Sequence, residues 1–174
     1  MVQSLPLAEI QAARSGDEAA FDSLVGPLID PAFKLAVVLL RDRGEAEDAV
    51  QEACVKAWRN LAQLRDGGAL RPWFLSIVAN QCRGVRRARW WSVVRMPSTP
   101  ARDSSNPDLE AGFDLDREVA ALPLTDRAVL FLYFYLDMPL AEVSRTLGIS
   151  PQAAKSRVHR AVERLRLSMV EVQE

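Results

Sequence analysis

Histidine and cysteine are almost missing from the 174 residues, which hold one histidine and two cysteines. Cys54 and Cys82 sit inside helical patterns with no CxxC spacing and no histidine nearby, so they read as buried small apolar residues and no metal site is expected. His159 has no second histidine or thiol to work with, which makes it a polar surface or groove residue rather than a catalyst. There is no glycine-rich phosphate loop and no G-x-S-x-G, so an enzyme has no visible machinery and no cofactor is expected. The longest apolar runs, "LAVVLL" and "AVLFLYFYL", fall far short of the about 20 residues that span a bilayer. The N-terminal stretch carries early acids and no continuous apolar core, unlike a signal peptide. These absences predict a cytoplasmic protein without membrane insertion.

What the chain does have is segregated charge. Its formal net charge is -1. Residues 9–52 nevertheless hold ten acids against four bases, and residues 53–91 hold eight bases against Asp66 alone. A chain built this way faces at least two partners of opposite charge.

Apolar residues recur three and four apart through "LAEIQAARSGDEAAFDSLVGPLI", "FKLAVVLL", "AEDAVQEACVKAWRNL" and "PWFLSIVANQCRGVRR", and no convincing strand is present. Between Ser92 and Asp108 the chain is rich in proline, serine and threonine and poor in apolar groups, too poor to offset chain entropy by burial. The pattern predicts an all-α protein of two small helical domains, 1–91 and 113–174, joined by a flexible linker over 92–112.

In the second domain, Gly148 suits the end of one helix and Ser150-Pro151 the start of the next, through a left-handed cap, a side-chain cap and a proline at the first helical position. A helix over 139–147, a tight turn and a helix from Pro151 make a helix-turn-helix. On that last helix Ala154, Val158, Ala161 and Leu165 form an inward stripe. Gln152, Lys155, Ser156, His159 and Arg160 lie opposite, near the N-terminal end that such motifs insert into the major groove. Arg157 and Arg164 flank the stripe within reach of phosphates. A solvated basic face is the alternative for any such helix taken alone.

Two faces in the first domain carry charge. Over 44–58, Ala46, Val50, Ala53 and Ala57 point inward, while Glu45, Asp48 and Glu52 share another face with Gln51. Acids four apart repel unless something basic docks, which suggests a protein partner; Lys56 and the helix N-terminus offer a local alternative. From Pro72, Phe74, Ile77, Val78, Cys82 and Val85 point inward, and Ser76, Asn80, Arg83 and Arg87 outward with Arg86 and Arg89 nearby. Arginines beside an amide, preceded by the loop 62–71 and followed by Trp90 and Trp91, suit a nucleic-acid backbone with unstacked bases. A solvated face over a core containing the tryptophans is the alternative.

The runs "AED-x-x-QE" and "KSR-x-HRA", in this order and across a linker, resemble the extracytoplasmic-function (group 4) sigma factors of bacterial RNA polymerase over nearly the whole chain. "GDEAAFDSLV" and "AEDAVQEACVKAWRNL" look like region 2, "PWFLSIVANQCRGVRR" like its promoter-melting part, and the stretch from Leu122 like region 4. The resemblance implies that Glu47, Asp48, Gln51 and Glu52 help dock core RNA polymerase. It implies that the loop 62–71 with Asn80, Arg83, Arg86 and Arg87 opens the -10 element of promoter DNA by capturing flipped bases. The helix bearing Gln152, Lys155, Ser156, Arg157, His159 and Arg160 would read the -35 element as duplex. An anti-sigma factor is implied as a further partner. "SPQAA" and Phe74 depart from the family's commoner "S-x-G-T-V" and leucine, so base preferences do not carry over. The competing reading is an autonomous helix-turn-helix regulator that binds a duplex operator as a dimer.

Overall fold

The computed structural model describes residues 7–64, 69–95, 118–119 and 121–171. Helix α1 spans Leu7–Arg14, α2 Glu18–Leu40, α3 Arg43–Asn60 and α4 Leu70–Arg95. Helix α5 is Leu124–Leu130, α6 Leu140–Leu147 and α7 Pro151–Glu171. Helix α4 runs past residue 91 into the stretch expected to be linker. The rest of that stretch, residues 65–68 of the loop before α4, and the side chains of Arg89, Trp90 and Trp91 lie outside the described residues.

Short polar side chains decide where the helices begin. Asp17 accepts a hydrogen bond from Ala20 N–H at 3.1 Å and so starts α2. The α2–α3 junction takes two residues. Arg41, at φ 57°, returns its N–H to the Val37 carbonyl, and the Asp42 carboxylate caps α3 by accepting from Glu45 N–H at 2.8 Å. By length and mean hydropathy of 1.7, α2 alone among the described helices could cross a membrane. Its Leu24, Val25, Ala32, Leu35, Ala36 and Leu39 are instead buried in the core shared with α1, α3 and α4.

That core includes Leu35, Leu61, Phe74, Leu75 and Val78, all fully buried. The inward face read for α3 is confirmed, with Ala46, Val50, Ala53 and Ala57 buried. On α4, Phe74, Val78 and Cys82 are buried while Ile77 and Val85 pack at its margin.

After α5 the helix widens into a π segment, Phe131–Tyr135, closed by Leu136 N–H to the Phe131 carbonyl at 3.0 Å. Asp137, at φ 50°, then reverses the chain and lets Met138 N–H reach the Leu132 carbonyl. Leu132, Met138, Val143 and Ala154 are buried beneath this turn.

The two helical units are docked, their apolar interiors forming one continuous cluster from Ile10 to Ala154. Polar contacts mark the seam. The Arg71 guanidinium donates to the Leu136 carbonyl and that of Arg83 to the Leu147 carbonyl. The buried Thr146 hydroxyl donates to the Pro72 carbonyl at 3.4 Å, and Lys34 Nζ lies 3.0 Å from the Tyr135 hydroxyl.

Candidate protein and nucleic-acid interfaces

Helix α3 presents Glu47, Asp48, Gln51 and Glu52 to solvent, opposite its alanine-rich inner face. Arg43 Nε stands 3.6 Å from Glu47, a one-turn pair at the start of the helix. Lys56, the residue placed to compensate Glu52, turns away and donates to Gln81 Oε1 of α4 at 2.9 Å. Among the described residues, no ion pair is made by Asp48 or Glu52, so their face carries net negative charge into water.

Helix α4 exposes Asn80, Arg83, Arg86 and Arg87. Arg83 also donates to Asn80 Oδ1, one turn back, so the amide and the guanidinium act as one unit and their polar edge turns toward α6. The Arg127 guanidinium of α5 approaches the same surface. Burial first, then the neighbouring Arg41 and Arg86 charges, hold its pKa below the ordinary arginine value. Cationic groups therefore crowd this part of the seam.

The helix-turn-helix forms as its local chemistry dictates. Gly148 closes α6 in the left-handed region at φ 66°, and its N–H reaches the Arg145 and Ser144 carbonyls. Ser150 Oγ accepts from Ala153 N–H at 3.1 Å and caps α7. Ala154 and Ala161 are fully buried, with Val158 and Leu165 packed beside them. Gln152, Lys155, Ser156, His159 and Arg160 are exposed on the far side of α7.

Arg157, expected at the DNA, makes an ion pair inside the protein. Its Nη1 lies 3.0 Å from Oδ1 of Asp126, a carboxylate buried in α5, and Arg164 Nη1 lies 3.4 Å from Oδ2 of the same group. An aspartate enclosed between helices requires paired positive charge, and the two arginines beside the apolar stripe supply it. Sequence reading missed Asp126 because its partners lie 31 and 38 residues further along the chain, on another helix.

An exposed acidic helix, an arginine-lined helix and a helix-turn-helix, all in an α-helical scaffold, are the features of a DNA-binding protein with a further protein partner. The comparisons specify which. Residues 24–92 match the family described as sigma-70 region 2 and residues 113–165 the one described as sigma-70 region 4. The chain is 31% identical over 176 residues to the ECF RNA polymerase sigma factor SigL of Mycobacterium tuberculosis, covering 95% of this chain and 98% of that protein. It is 27% identical to the probable RNA polymerase sigma factor RfaY of Xanthomonas campestris, covering 88% of this chain and 41% of that protein. Two solved structures share the fold. One is CnrH in complex with the cytosolic domain of CnrY (TM-score 0.70, 22% identity, 96% of this chain and 97% of that one). The other is RpoE with the anti-sigma factor NepR from Bartonella quintana (TM-score 0.73, 22% identity, 88% of this chain and 98% of that one). The chain belongs to the sigma-70 family of RNA polymerase sigma factors, in the extracytoplasmic-function class that directs promoter-specific transcription initiation. The autonomous-regulator alternative is not favoured.

Proposed function

We propose that this sigma factor divides its contacts among three exposed faces. Glu47, Asp48, Gln51 and Glu52 of α3 dock core RNA polymerase. Asn80, Arg83, Arg86 and Arg87 of α4 hold the opened -10 element, and Gln152, Lys155, Ser156, His159 and Arg160 of α7 read the -35 duplex. The observation that carries this reading is the separation of charge among solvent-facing surfaces: exposed acids on α3, of which Asp48 and Glu52 make no ion pair among the described residues, arginines on α4, and basic or amide groups at the start of α7. Arginine and lysine suit phosphates, and acids suit the basic surface of a protein that handles nucleic acid.

The protein acts in the cytoplasm as a non-enzymatic subunit. An anti-sigma factor is its expected antagonist, because both structural relatives are held in complexes and RpoE's partner is an anti-sigma factor. The test mixes the purified chain with sigma-free core polymerase, follows co-elution, and sequences transcripts from a genomic promoter library. Co-elution with transcripts confined to a few promoters is expected. Absence of co-elution would refute the assignment of α3.

A further inference from the structure

Basic side chains on α7 fall into two sets. Lys155, Arg160 and Arg166 project into solvent, whereas Arg157 and Arg164, seven residues apart and so on one face, fold onto Asp126. Asp126 is 3% exposed, and Arg157 and Arg164 keep about a third and a half of their side-chain surface. The carboxylate offers one oxygen to each guanidinium, the contact that a DNA phosphate would otherwise offer. Both arginines belong to the helix that the preceding reading places in the major groove, and the inference rests on that reading.

We propose that Asp126 is a specificity-determining residue that acts as an internal phosphate surrogate. It withholds Arg157 and Arg164 from the DNA backbone, and it reaches the DNA only through them, as a positioning residue. Contacts with phosphates are independent of sequence. Two further arginines free to make them would raise affinity for every duplex alike and narrow the margin between promoter and bulk DNA. With both neutralised internally, α7 depends on the polar groups near its N-terminus, which reach base edges.

The test measures binding of the full chain to a fluorescent random-sequence duplex over a series of KCl concentrations. Each phosphate contact contributes about 0.9 to the slope of log affinity against log salt. Asp126→Asn is expected to steepen the slope by about one to two and to strengthen random-duplex binding several-fold, while Asp126→Glu restores the original slope. A residue that only stabilised the fold would instead lose affinity when altered. Arg157→Gln and Arg164→Gln are expected to leave the slope unchanged, whereas Arg160→Gln lowers it by about one. If Arg157→Gln lowers the slope as Arg160→Gln does, Arg157 is a phosphate contact and the proposal is overturned. If no α7 substitution moves the slope, the DNA-facing reading of α7 falls and the proposal with it. Should Asp126→Asn lose its helical circular dichroism, the arginine variants decide alone.

Discussion

Arg83 and Leu147 are joined across 64 residues of chain: the guanidinium of a helix proposed to hold opened DNA donates to the last carbonyl of the helix preceding α7, the helix proposed to read the -35 duplex. One turn of α4 is thereby occupied by the protein itself. With Arg71 on Leu136, Thr146 on Pro72 and a shared apolar cluster, the contact fixes the two units as one body. In this arrangement the polar edge of Asn80 and Arg83 is engaged by the C-terminal unit, and if α4 holds the -10 element as proposed, freeing that edge requires the units to part.

Thr146 offers the sharpest way to part them. It is 1% exposed at the seam. A charged side chain there has no room and no partner, a burden that the about 1 to 3 kcal/mol of a buried unpaired polar group understates. Thr146→Arg should enlarge the radius of gyration in small-angle scattering while helical circular dichroism is preserved. An unchanged radius would mean that the seam accommodates the arginine and that docking of the units does not depend on this contact.

Much of this organisation was readable residue by residue, and the exceptions share a cause. Gly148 and Ser150 are legible because a left-handed cap and a hydroxyl cap act within four residues of themselves. The inner faces of α3 and α4 are legible because burial imposes a helical period. The seam was not, since Thr146 and Pro72 meet over 74 residues and neither residue type announces a partner. The π segment Phe131–Tyr135 was hidden inside an apolar run that reads as ordinary helix. The Arg157–Asp126 pair was hidden for a related reason: an arginine beside an apolar stripe normally extends to water, and the buried acid that draws it inward lies on another helix.

Cys82 should be chemically silent in the folded chain. Burial is the main cause that pushes its thiol up to about 12 from an ordinary 9.0, outweighing a hydrogen bond and the Arg83 charge. Cys54, half-buried, is raised in the same direction by burial and by Asp22. At pH 8 a thiol-reactive dye should label Cys54 slowly and Cys82 only after denaturant is added. Because the folded form holds the Cys82 proton more tightly than the unfolded chain, this residue contributes no pH dependence well below pH 9.0 and lowers stability as pH rises from there toward about 12. Rapid modification of both thiols in the native protein would contradict the burial of Cys82.

Gly148→Ala isolates backbone strain. An added Cβ would meet nothing within 4 Å, so the cost comes from φ 66° alone. A loss of about 1 to 2 kcal/mol is expected from denaturant unfolding. A loss well above that would mean that the turn between α6 and α7 moves.

Asp42 and Asp48 lie on the same helical segment with the same charge, yet they should fail in opposite ways. The Asp42 carboxylate accepts from Glu45 N–H at 2.8 Å, satisfying one of the donors left over at the start of α3. Asp42→Ala should cost about 1 kcal/mol of stability and leave affinity for core polymerase almost unchanged wherever the chain is folded. Asp48 is exposed and caps nothing. Asp48→Lys combined with Glu52→Lys removes the uncompensated acids and installs the opposite sign, which costs a surface helix within about 0.5 kcal/mol but sets like charge against a basic partner. Polymerase affinity of the double variant should fall at least tenfold in a titration followed by anisotropy, with its thermal midpoint nearly unmoved. Equal affinity for the wild-type and double-variant chains would show that α3 is a solvated face, and the polymerase contact would then have to be sought on another surface of the N-terminal unit.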